Sequence, residues 1–109
     1  MDFAQAAAFY RIAAAQGLDA AQLELGGMHH NGDVIAQDYA EALRLFQLAA
    51  AQGHPVALYS IAVCYEHGHS VAADVAEAIR WYRRARAAGD AQAAAALQQL
   101  DEMYPSLPQ

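Results

Sequence analysis

Lysine and threonine are absent from this 109-residue chain, and asparagine and cysteine occur once each, at Asn31 and Cys64. Each shortage excludes something. Without lysine, the six basic side chains are all arginine, and twelve acidic ones leave a formal net charge of −6. That balance argues against holding nucleic acid by its phosphates or docking on an anionic membrane, since both need a basic surface. A lone cysteine cannot close an internal disulfide, so the chain neither needs nor reports an oxidising compartment. No apolar run reaches the ~18 residues expected of a membrane-spanning helix. The opening stretch carries Asp2 and lacks the basic start of a signal peptide. The expectation is a soluble chain, with the cytoplasm favoured as its compartment and no cofactor.

Chemistry is equally scarce. The three serines stand outside any Gly-rich phosphate loop, and neither H-E-x-x-H nor C-x-x-C occurs. Cys64 and His67 lie one helical turn apart, a spacing that a nucleophile and its base could use. Cys64, however, shares its repeat position with Met28 and Leu100, which makes it a buried, inert thiol. We therefore expect no enzyme.

What is present is alanine, 29 residues of it. Alanine is the best helix former, and β-branched residues are few, so the chain reads as all-α. It is also periodic. "DFAQAAAFYRIAAAQG" (2–17), "DYAEALRLFQLAAAQG" (38–53) and "DVAEAIRWYRRARAAG" (74–89) repeat at an offset of 36 residues. Asp38 with Glu41, Asp74 with Glu77, and Asp2 with Gln5 have the spacing of reciprocal helix caps. Gly17, Gly53 and Gly89 suit the left-handed residue that ends a helix, and Gly32 and Gly68 close the other helix of each unit.

The spacing predicts six helices over 2–16, 18–31, 38–52, 54–67, 74–88 and 90–103. Helices joined this tightly must turn back on one another, giving an antiparallel helix-pair solenoid with alanines at close contacts. The organisation is one domain over 1–104: a half repeat (2–17), full repeats (18–53 and 54–89) and a capping helix (90–103). The tail, 105–109, is expected to be loose after Pro105 and Pro108.

These residues resemble the Sel-one-like repeat, a relative of the tetratricopeptide repeat. Ala57, Ile61, Ala62, Tyr65, Gly68, Val71, Asp74, Ala78, Trp81, Tyr82, Ala85 and Gly89 fall on its pattern. So do Ala21, Leu25, Gly26, Gly32, Ile35, Asp38, Ala42, Phe46, Ala49, Ala50 and Gly53 in the preceding unit. The chain departs from that pattern at Val34 and Ser70, which replace a loop glycine. Glu41 and Glu77 stand where lysine is usual, and His29 where tyrosine is usual. The resemblance implies a non-enzymatic adaptor that holds a peptide or partner protein on a concave face.

At about 100° per residue, Ala21, Leu25 and Met28 form a core stripe, and the row opposite is Leu23, Gly27 and His30. The next repeats supply Tyr59, Val63 and Glu66, then Ala95, Gln99 and Glu102. Asn31 and His67 stand at the edge. By the tetratricopeptide analogy this row faces the groove; its bland alternative is packing against a neighbouring helix. Trp81, Tyr82, Phe9 and Tyr10 read as core. Arg80, Arg83 and Arg84 share a face that reads as solvated, with Glu77 paired to Arg80; an acidic partner is the alternative.

Two other readings compete. His29, His30, His67 and His69 could bind metal, but adjacent helical residues point about 100° apart and cannot readily share one ion. Alternatively, the first helix, which lacks its pair, leaves Phe9, Tyr10 and Ile12 in need of cover, so that the chain self-associates or belongs to a longer repeat protein.

Overall fold

Four of the six helix starts are set by aspartate, while the second helix starts after Leu18 without a side-chain cap. In the computed structural model, which describes residues 2–107, the carboxylates of Asp2, Asp38, Asp74 and Asp90 accept from the backbone N–H of Gln5, Glu41, Glu77 and Gln92 at 2.7–3.0 Å. Each satisfies an N–H that has no partner within its helix. The fourth helix instead begins with Pro55, whose missing N–H costs nothing in the first turn.

Among the described residues the chain forms six helices: α1 Phe3–Ala15, α2 Asp19–Asn31, α3 Tyr39–Ala51, α4 Pro55–His67, α5 Val75–Ala87 and α6 Ala91–Met103. The described part of the tail makes a turn, with Leu107 N–H donating to the Tyr104 carbonyl at 3.1 Å. Pro108 lies outside the described residues.

The expected reciprocal caps are a partial correction. Asp2 and Gln5 form one in full, the Asp2 N–H donating to Gln5 Oε1 at 3.0 Å. Glu41 and Glu77 do not reach back. The N–H groups of Asp38 and Asp74 are taken by the carbonyls of His29 (2.9 Å) and Tyr65 (2.8 Å), which close the loop between the two helices of each pair. The freed carboxylates turn forward to Arg44 and Arg80, with the terminal guanidinium nitrogens at 2.9 and 2.8 Å. The two positions that replace the loop glycine behave differently: Ser70 adopts the left-handed conformation a glycine would take, with φ 69°, whereas Val34 does not.

The helices group into two compact units, α1 to α3 and α4 to α6, dividing between His54 and Pro55. Neighbouring helices in each pack together, α1 on α2 on α3 and α4 on α5 on α6. In the first unit Ala13, Ala14, Ala21, Leu25 and Leu45 form a buried cluster, with Tyr10 and Ile35 against it. Small side chains let α2 approach α3: a Cβ on Gly26 would stand 2.7 Å from a Phe46 ring carbon. Two glutamines tie the α1–α2 turn to the end of α3. Buried Gln22 donates to the Ala14 carbonyl at 3.3 Å, and Gln52 Nε2 meets the Gly17 carbonyl at 2.9 Å and Gln22 Oε1 at 3.1 Å. This network matters because a buried amide without partners is costly.

In the second unit Ile61, Cys64, Ile79 and Tyr82 are the largest fully buried side chains, and Leu97 and Leu100 of α6 complete the core. Cys64 is 0% exposed, and burial pushes its thiol up to about 11. Tyr82 and Tyr10 are packed as expected. Phe9 is corrected: it is 55% exposed, and Ile12 is 63% exposed, because nothing among the described residues packs on that side of α1. Trp81 is only half-buried, with the Arg84 guanidinium stacked 4.4 Å from its ring.

Candidate interaction face

On α2, the row opposite the core stripe is neither buried nor fully open. Leu23, Gly27 and His30 are half-buried and Asn31 is exposed. A Cβ on Gly27 would meet nothing within 4 Å, in contrast to its neighbour Gly26. The His30 ring lies against α3, 5.1 Å from Tyr39 and 6.3 Å from Phe46, and its Nδ1 is 3.3 Å from Asn31 Oδ1. Its backbone carbonyl accepts from Gln37 Nε2 at 2.9 Å.

The α4 row shows the same tilt toward the second helix of its pair. Tyr59, Val63 and Glu66 are half-buried. The Tyr82 hydroxyl donates to Glu66 Oε1 at 2.6 Å, and the Tyr59 and Tyr82 rings sit 5.5 Å apart. Burial first, and then this hydrogen bond, push the Tyr82 hydroxyl above its ordinary range. Glu66 also has His67 Nε2 at 3.9 Å from its other carboxylate oxygen, and His67 is exposed. On α6, Ala95, Gln99 and Glu102 are all exposed.

Phe46 and Tyr82 were therefore missed as neighbours of this face. The signal was present, since they occupy one repeat position, as do their contacts His30 and Glu66. Exchanging Phe for Tyr adds a hydroxyl, and the opposing residue is then an acceptor.

The arginine face behaves as a set of separate contacts. Glu77 pairs with Arg80 at 2.8 Å, Arg84 covers Trp81, and half-buried Arg83 keeps one guanidinium nitrogen buried without a partner. The histidines diverge too. His29 has Nδ1 buried without a hydrogen-bond partner, while its neighbour His30 leans on α3. The His67 and His69 rings are 5.8 Å apart, and among the described residues no three His, Cys, Asp or Glu side chains cluster closely enough to hold a metal ion. No helix of the described residues is long and apolar enough to cross a membrane.

The Sel1 repeat profile matches residues 2–18, 19–54 and 55–90. No curated protein sequence matches the chain. Solved structures do. A Sel1 repeat protein from Oxalobacter formigenes superposes with a TM-score of 0.89 at 29% identity, over 97% of this chain and 43% of that one. A protective antigen of uropathogenic Escherichia coli strains, displaying an SLR fold, gives 0.84 at 38% identity, over 94% of this chain and 21% of its own. Cysteine rich protein B of Helicobacter pylori gives 0.80 at 15% identity over 89% of this chain and 73% of that one, a likeness of fold alone. The chain thus spans less than half the length of the first two. It belongs to the Sel1 repeat family, whose all-α helix-pair solenoids generally serve as protein-interaction scaffolds.

Proposed function

We propose that this chain is a non-enzymatic interaction module that holds a peptide or partner protein on the face carried by the first helix of each pair. The observation that supports this most directly is the accessibility of equivalent positions: Leu23, Gly27, His30 and Asn31 on α2, Val63 and His67 on α4, Ala95, Gln99 and Glu102 on α6. In each unit an apolar position stands beside polar ones, Leu23 by His30 and Asn31 and Val63 by His67, a combination that suits an extended peptide or an amphipathic helix. Tyr59 and Glu66 belong to the same row, but their contacts with Tyr82 give them a packing role as well, so substituting them would mix binding with stability.

The test is affinity capture from cells that express the protein, using wild type and the variants Leu23→Asp and Gln99→Arg. Gln99 is exposed and Leu23 half-buried, and neither belongs to the ring contact that ties Tyr59 to Tyr82. Partners captured by wild type and lost by both variants are the expected result. Identical captures by all three would overturn the face.

Exposed Phe9 and Ile12 on α1 support a second reading, self-association through that helix. Light scattering across concentration tests it: a strict monomer with α1 ordered counts against it.

A further inference from the structure

A groove of about 480 Å³ opens in the first unit, on the side of α2 opposite to Leu23, Gly27 and His30. Its lining includes the aliphatic Leu25 from α2 and Leu45 and Leu48 from α3; Arg11 of α1 and Arg44 of α3 contribute guanidinium groups. His29 lines it as well, and the ring nitrogen Nδ1 of that residue is buried with no hydrogen-bond partner.

The charge distribution is unusual for this molecule. From Met1 to His54 the chain has six acidic side chains (Asp2, Asp19, Glu24, Asp33, Asp38 and Glu41) and only two arginines. Both arginines line this groove, and of the acids only Glu41 does. Glu41 is engaged by Arg44, whose hydrogen bonds hold its carboxyl below the usual range. Arg11 makes no ion pair among the described residues. The groove is therefore a locally cationic, partly aliphatic cleft on an acidic protein. It is a surface cleft partly open to solvent, along which Leu48 remains 42% exposed.

We propose that this groove is a second docking site, for an acidic peptide segment of a partner protein that presents an aliphatic side chain next to a carboxylate. The aliphatic group lies on exposed Leu48, with Leu25 and Leu45 of the buried core beneath. The carboxylate meets Arg11, whose guanidinium has no ion pair among the described residues and offers a fork of donors suited to planar oxyanions. Charge complementarity favours this occupant over a neutral or basic one, which would leave Arg11 unanswered. The site is independent of the proposed interaction face, since it uses the other side of α2.

The probe is a short acetylated peptide of alternating leucine and glutamate, compared with its glutamine and lysine counterparts by fluorescence anisotropy and by amide shift mapping on the whole chain. Saturable binding of the glutamate peptide is expected, with shifts around Arg11, Arg44 and Leu48. Affinity should fall about tenfold for the glutamine peptide, for Arg11→Glu and at raised salt, and the lysine peptide should not bind. Arg11 is exposed, so Arg11→Glu should keep the wild-type melting curve; Arg11→Gln, expected to be intermediate, is the second variant. Equal binding of glutamate and glutamine peptides, absence of binding, or indifference to both Arg11 variants would overturn the site. So would shifts centred on Leu23 and His30, which would favour the other face instead, or concentration-dependent shifts of the groove residues without peptide, which would place a second copy of the chain there.

Discussion

The Tyr82 hydroxyl donates to the Glu66 carboxylate across 2.6 Å, joining α5 to α4 at the position where α3 and α2 bring Phe46 against His30. Tyr82 is 2% exposed, so its hydroxyl needs a partner, and a carboxylate is a strong one. Tyr82→Phe should lower unfolding stability by about 1–2 kcal/mol, measured by urea denaturation at neutral pH. Glu66→Gln keeps an acceptor and should cost less. Because the folded Tyr82 pKa is raised, the hydroxyl contributes stability below its ordinary value of 10.0 and loses it as pH rises further. Tyr82→Phe should lack that part of the alkaline loss.

Cys64 adds a second source of alkaline instability. Its folded value of about 11 lies above the ordinary 9.0, so its contribution is complete below pH 9 and is lost as pH rises toward 11. Roughly 2–3 kcal/mol is at stake. Cys64→Ala should be less stable at neutral pH, through the small void it leaves, yet show a shallower decline over that window. A thiol reagent should label wild type only after denaturation; prompt labelling of the native protein would refute the buried position.

Adjacent glycines on α2 should respond in opposite ways. Gly26→Ala places a methyl 2.7 Å from the buried Phe46 ring and 3.4 Å from the Ala42 carbonyl, so the ring or the two helices must shift. Overpacking of that kind costs about 1–3 kcal/mol, more than the ~1 kcal/mol gained in helix propensity. Gly27→Ala meets open space and should stabilise by about 0.5–1 kcal/mol. Thermal melts of the two variants decide it.

The caps make an asymmetric prediction. Asp38→Ala should cost about 1 kcal/mol, because the Glu41 N–H loses its acceptor. Glu41→Gln gives up only a solvent-exposed pair with Arg44 and should cost no more than about 0.5 kcal/mol. Comparable losses would indicate the reciprocal cap that the structure lacks. Hydrogen bonding from Arg44 depresses the Glu41 pKa, so this small contribution is present above the ordinary 4.5 and fades as pH falls below it.

Much of the fold was legible in local chemistry. Aspartate at 2, 38 and 74, glycine at 17, 53 and 89, and alanine between them specify where helices start and stop, and these are interactions within a few residues of chain. The positive φ values of 89°, 83° and 105° at the three glycines are the direct outcome. The 36-residue period carried the repeat architecture for the same reason. Leu23, Gly27 and Gln99 could be placed away from the core by helical angle alone, because that angle depends on backbone geometry and not on neighbours.

Tertiary structure decided the rest. Helical angle put Tyr59 and Glu66 in one row with Val63, but only the approach of α5 brings Tyr82 onto both of them. The fate of Glu41 depended on whether the Asp38 N–H was already taken, and that turned on His29, nine residues earlier, across a loop. The same holds for the groove: Arg11, His29 and Arg44 sit on three helices, and no local spacing relates them. Caps and turns are short-range and can be read from composition and order. Contacts between helices depend on how closely two backbones approach, and here a missing Cβ at Gly26 sets that approach for α2 and α3.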